Sequence, residues 1–182
     1  MARPLKARDQ LLRNRVRAMS WVLVIGLLVA GVTAIPLETE LDFAARVLNA
    51  SDLAPEQASS GFVRWVLLVR EGVHATNTTY PFMSYGTDWL AFAHIVLAIA
   101  FLGCVNHPLR NSWLFTLGMI ASVLVVPWAL VMGEVRQIPM GWRLIDCAFG
   151  VLAFVPCWLC VRWTREMQQI KIAEASQGFA GQ

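Results

Sequence analysis

Trp113-Leu-Phe-Thr-Leu-Gly-Met-Ile-Ala-Ser-Val-Leu-Val-Val-Pro-Trp-Ala-Leu-Val-Met132 is the stretch that decides the fold. It holds no charged side chain. As a helix rising about 1.5 Å per residue it reaches about 30 Å, the thickness of the hydrocarbon layer of a bilayer. A helix that is apolar on every face belongs in the middle of a large protein or in lipid, and a chain of 182 residues has no large middle to offer. Three further stretches, residues 19–35, 89–105 and 142–163, read the same way. The sequence therefore predicts an all-α fold, a four-helix transmembrane bundle.

Composition points in the same direction. Hydrophobic residues make up 57% of the chain and charged ones 15%, against about 25% charged in a soluble domain. Eight tryptophans are present, a residue that concentrates where membrane meets water. The polar turns 106–111 and 133–141 are short, so the last three spans are expected to run up and down beside one another.

Orientation is read from the basic residues. Six of the 15 Lys and Arg residues lie in the first 17 positions: Arg3, Lys6, Arg8, Arg13, Arg15 and Arg17. With the N-terminus inside, Arg110, Arg162, Arg165 and Lys171 join them on the cytoplasmic side. The basic residues of the other side are spread over longer segments, so the excess places both termini in the cytoplasm. Trp21, Trp113 and Trp163 then mark the inner boundary, and Trp89 and Trp142 the outer one. A net charge of +3 without aromatics among the leading arginines excludes a nucleic-acid partner; the basic block suits orientation and anionic lipid heads. The organisation expected is a basic segment 1–18, a four-span domain 19–163 with an outer loop 36–88, and a tail 164–182. A cleaved leader ending near Val32-Thr33-Ala34 is the rival reading of the first span. The long basic region and the early Pro36 favour a retained helix.

One or two amphipathic helices are predicted in the outer loop. Leu37, Leu41, Ala44 and Leu48 share one face of the first. The second is expected to start near Pro55, a residue suited to a first helical turn, and to run to about Val73. Such helices lie on the membrane, cap the bundle, or dock a partner. From His74 the pattern breaks into a polar, aromatic strip that leads to Asp88. Asn49-Ala-Ser51 and Asn77-Thr-Thr79 match the glycosylation acceptor pattern.

Ionisable groups inside a span are costly and are candidates for function. His94 and Asp146 are the two that lie well within spans, about 7 Å beyond Trp89 and about 6 Å beyond Trp142 along their helices. A pair between them would offset the desolvation of each. Asp88, Glu134, Arg136, Arg143 and Tyr85 are expected near the same outer rim, forming a funnel for a small polar ligand, a proton or a quinone head. The competing reading is structural, with Arg143 and Asp146 pairing along one helix face and His94 bonding a nearby carbonyl. Toward the inner face, Cys104, His107, Cys157 and Cys160 could converge on a metal, although buried cysteines more often act as small apolar groups. No cofactor is called for: haem between helices needs histidines on two spans, and only His94 lies in one. Phosphate-loop and nucleophile-elbow motifs are missing from the sequence. Gly103, Gly118 and Gly150 read as close-packing points between helices, and Pro127 and Pro156 as kinks in the last two spans.

The runs Tyr85-Gly-Thr-Asp-Trp-Leu-Ala-Phe-Ala-His94, Asn106-His-Pro-Leu-Arg-Asn111 and Gly141-Trp-Arg-Leu-Ile-Asp-Cys-Ala-Phe-Gly150 resemble a family of small four-span bacterial inner-membrane proteins with no assigned activity. The resemblance covers roughly residues 80–163 and implies a bacterial inner membrane, with the outer side facing the periplasm. The vitamin K epoxide reductase family also has four core spans and a Cys-x-x-Cys, but here the shuttle cysteines are missing. The function expected is that of a non-enzymatic accessory, assembly or sensory subunit in contact with the lipid bilayer and another membrane protein. The alternative is the small-ligand, quinone or proton site built on His94 and Asp146.

Overall fold

The computed structural model describes the backbone of residues 2–180 and the side chains of residues 5–176; Arg3 lies outside the described side chains. The elements are α1 (Ala2–Ala34), α2 (Leu37–Val47), a 3-10 turn (Pro55–Gln57), α3 (Gly61–Thr79), a second 3-10 turn (Pro81–Ser84), α4 (Tyr85–Asn106), α5 (Trp113–Val135) and α6 (Met140–Ala180). No strand occurs among the described residues. Helices α1, α4, α5 and α6 each contain a window long and apolar enough to cross a membrane. The protein is an all-α, multi-pass membrane protein.

Two helices exceed the spans that hydropathy marks. Helix α6 has 41 residues, about 60 Å and twice the hydrocarbon thickness, so it projects beyond the lipid. Helix α1 takes in the basic segment as well as the span. Lys, Arg and Leu are good helix formers, and Arg13 ties back to Asp9 at 2.7 Å one turn earlier. Pro36 follows the end of α1 and precedes α2.

The chain folds as two compact units. The first comprises Met1–Ile25 with Ala98–Gln182. In it α1 buries Leu12, Val16, Ser20 and Val24, and α6 buries Cys157, Cys160, Thr164, Met167 and Ile170. Spacings of three and four place each set on one helix face. The two helices run antiparallel: Arg8 meets Glu166 at 2.5 Å, and further along α1 Arg15 lies over the Trp163 ring at 5.9 Å. Arg17 Nε donates to the Val105 carbonyl of α4 at 3.2 Å. The Phe101 and Phe115 rings join α4 to α5 with centroids 6.1 Å apart. Ser20, Ser122 and Thr164, all buried, satisfy their hydroxyls on carbonyls one turn back, at 2.8, 2.7 and 2.8 Å.

Helices α5 and α6 pack most intimately at glycines. A Cβ at Gly150 would come within 2.6 Å of the Ser122 carbonyl oxygen, and one at Gly118 within 2.6 Å of Cys157 Sγ. Without a hydrophobic force between helices in lipid, such close backbone approach is what holds them together. Pro127 and Pro156 lie inside helices that continue past them. The α5–α6 turn closes with a Schellman arrangement, Ile138 N–H to the Gly133 carbonyl at 2.8 Å and Gln137 N–H to that of Glu134 at 3.1 Å. Gln137 takes the left-handed conformation this requires, at φ 56°.

The second unit is Gly26–Leu97. Helix α2 packs on α3 around Ala45, Ala50 and Leu67. Its end is another Schellman turn, Ala50 N–H to the Ala45 carbonyl at 2.9 Å and Asn49 N–H to that of Arg46 at 3.0 Å, with Asn49 at φ 52°. Asparagine tolerates this conformation better than most residues. The second outer helix differs from the sequence reading at both ends. Pro55 opens only a 3-10 turn, and α3 begins at Gly61 beyond Ala58-Ser59-Ser60, because serines favour caps over helix interiors. At its far end α3 runs on to Thr79, through a strip read as irregular.

Candidate functional site

That extra helical turn has a tertiary cause. Glu38, in the first turn of α2, receives His74 Nδ1 at 2.6 Å and Asn77 Nδ2 at 2.7 Å. Asn77 Oδ1 in turn accepts the Ser84 hydroxyl. These bonds override the weak helix preference of His-Ala-Thr-Asn-Thr-Thr. The Asn77 bond, and after it the His74 bond, hold the Glu38 carboxyl below its ordinary value of 4.5, because both stabilise the charged form. A second tie runs from Arg70, whose Nε donates to Asp42 at 2.6 Å and whose Nη1 donates to the Ser51 carbonyl at 3.1 Å. Together the two ties fix α2, α3 and the following 3-10 turn to one another.

Of the seven residues expected at the outer rim, three belong to the second unit. Tyr85 and Asp88 are exposed in the first turn of α4, where the Tyr85 ring meets Trp89 edge-on and the Asp88 charge complements the helix N-terminus. His94 is half-buried, and its Nδ1 lies 2.8 Å from the Leu90 carbonyl of its own helix. Gly31 of α1 approaches it closely: a Cβ there would lie 3.0 Å from His94 Cβ.

The other four, Glu134, Arg136, Arg143 and Asp146, belong to the first unit, and the structure brings two of them together. Arg143 is 8% exposed; its Nη1 donates to Glu134 at 2.6 Å and its Nε to the Ile138 carbonyl at 2.7 Å. Its stem fills the space beside Gly133, where a Cβ would come within 2.6 Å of Arg143 Cδ. The Arg143–Asp146 pair offered as the structural alternative is thus replaced by one that spans the turn. Arg136 is exposed at the C-terminal cap of α5. Asp146 is half-buried in α6 and bonds no described residue.

Cys104, Cys157 and Cys160 are fully buried in the first unit. Cys104 Sγ donates to the Asn111 carbonyl at 3.4 Å. His107 is exposed and contributes its backbone to the α4–α5 turn, where Asn111 Nδ2 caps Gly103 at 2.7 Å. Among the described residues no group of three or more His, Cys, Asp or Glu side chains is placed to hold a metal ion.

The Glu38 and Arg70 ties were not anticipated. Their partners lie 19 to 39 positions apart, so no periodicity announces them. The one local sign was Asp42, a charge next to Leu41 on a helix that packs on α3 through Ala45. No family model, curated protein or solved structure compared with the chain matches it.

Proposed function

We propose that this chain is a non-enzymatic accessory, assembly or sensory subunit of a larger membrane complex, and that α2 carries its partner-contact surface. The supporting observation is the surface of the α2–α3 pair. Phe43 and Val47 lie one turn apart and are 64% and 63% exposed, on a helix that Glu38 and Asp42 lock to α3. Glu40 and Arg46, both exposed, flank them. An apolar centre with a charged rim suits a protein interface, whereas a helix sunk in lipid carries a wider apolar stripe. The polar groups inside the spans are meanwhile largely committed to local bonds, as His94 and Arg143 illustrate.

The distribution of Lys and Arg supports cytoplasmic termini, with α2 and α3 on the periplasmic side of a bacterial inner membrane. The second reading, a small-ligand, quinone or proton site, rests on Asp146. A half-buried carboxyl in a span with no bond to a described residue is a costly arrangement without a function.

One experiment separates the two. Tagged full-length chain is solubilised from its native membrane, and the complex is analysed by intact mass. A co-purifying membrane polypeptide is expected at fixed stoichiometry, lost in the F43D/V47D variant and kept in H94A and D146A. The accessory reading fails if the chain, of 20.3 kDa, is recovered alone. It also fails if F43D/V47D leaves the complex intact.

A further inference from the structure

The first unit carries a groove that neither proposed reading uses. Arg162 and Arg165, one turn apart on α6, line it. Its apolar lining comes from Met119 of α5 with Trp158 and Val161 of α6. Trp158 and Arg165 are seven residues apart, about 10 Å along the helix, so the Trp158 ring lies about two turns nearer the middle of the apolar stretch than the outermost cation. The groove has a volume of about 720 Å³, within the usual range of small-ligand sites.

The charges are not balanced. Glu166 is the one acid lining the groove, and Arg8 already pairs with it at 2.5 Å. Arg162 lies over the Trp158 ring at 6.0 Å, which orients its guanidinium without neutralising it. Arg165 is exposed and meets no carboxylate among the described residues. Two guanidinium groups without a carboxylate partner among the described residues therefore line a partly apolar groove, midway along α6 where its apolar stretch 142–163 ends. Guanidinium is the side-chain group best matched to a phosphate, which it can hold through paired N–H donors. Basic pockets between membrane helices are suited to acidic lipid heads.

We propose that this groove binds an anionic diacyl phospholipid, the phosphate held by Arg162 and Arg165 and one acyl chain lying along Trp158, Val161 and Met119. The proposal does not depend on the accessory role.

The test uses the full-length protein in a neutral detergent. Binding of phosphatidylglycerol and of phosphatidylcholine is followed by native mass spectrometry, alongside the thermal midpoint. Wild type is expected to retain phosphatidylglycerol in preference to phosphatidylcholine. In R162Q/R165Q the affinity for phosphatidylglycerol falls about 25-fold, at about five-fold per cation, with phosphatidylcholine binding and the midpoint unchanged. W158A keeps both cations and also weakens retention of phosphatidylglycerol. K6Q/R110Q removes as much charge from residues outside the groove and leaves retention at the wild-type level. An equal loss in K6Q/R110Q would reduce the effect to diffuse charge and overturn the site. Retention unaffected by R162Q/R165Q would overturn it too, as would inorganic phosphate binding as tightly as the lipid.

Discussion

Arg143 shows how a single charged side chain can be structural in a membrane protein. It is nearly buried, yet its partner Glu134 keeps 78% of its side chain exposed. Water screens that half of the pair, which limits the ion pair to about 1 kcal/mol or less. The bond to the Ile138 carbonyl and the packing beside Gly133 are lost with the side chain itself, and an unsatisfied buried carbonyl costs about 1–3 kcal/mol. R143M should therefore lower stability in detergent clearly more than E134Q does, by about 1–3 kcal/mol against under 1 kcal/mol. Equal losses would mean that the ion pair carries the turn. The likeness of Arg143 to a site residue in the sequence came from its position near a helix end. Its carbonyl partner and the glycine beside it become visible only once the turn is closed.

At the scale of elements, the spans and the outer pair follow different rules. Lipid imposes its own length on an apolar helix, so residues such as 113–132 declare their structure without knowledge of their neighbours. Helix α5 begins at Trp113 and outlasts that stretch by three residues. Gly118 and Gly150 were legible as packing points for the same reason, since small residues in an apolar run have few other uses, whereas Gly103 meets the Asn111 side chain of the α4–α5 turn. G150A should weaken α5–α6 packing by about 1–3 kcal/mol, read as a lower unfolding midpoint in mild detergent, because the atom it meets is backbone and cannot swing aside. The outer pair was legible only as far as its periodicity. The turn of α3 from His74 to Thr79 depends on Glu38, 36 residues earlier, and local propensity gave no sign of it. A carboxyl held below 4.5 when folded contributes its stabilisation fully above that value and loses it as the pH falls through the folded value. The protection of amides 74–79, taken against the intrinsic exchange rate at each pH, should accordingly fall on acidification below about pH 4.5 in the wild type. In E38Q that protection should be low already at neutral pH and change little with acid. A wild-type profile that stays flat through this window would remove Glu38 as the fastening of α3.

For the molecule as a whole, four crossings dictate which segments share a side. The proposed topology expects the basic start of α1, the α4–α5 turn and the end of α6 on one side of the bilayer, and residue 57 and the α5–α6 turn on the other. Single cysteines at Gln57, Arg110 and Gln137, introduced in a Cys147→Ala background whose remaining thiols are buried, can be challenged with a membrane-impermeant maleimide in intact and permeabilised cells. Gln57→Cys and Gln137→Cys should label in intact cells, and Arg110→Cys only after permeabilisation. If Gln57→Cys and Arg110→Cys label alike, α4 does not cross the bilayer and the four-span account is wrong.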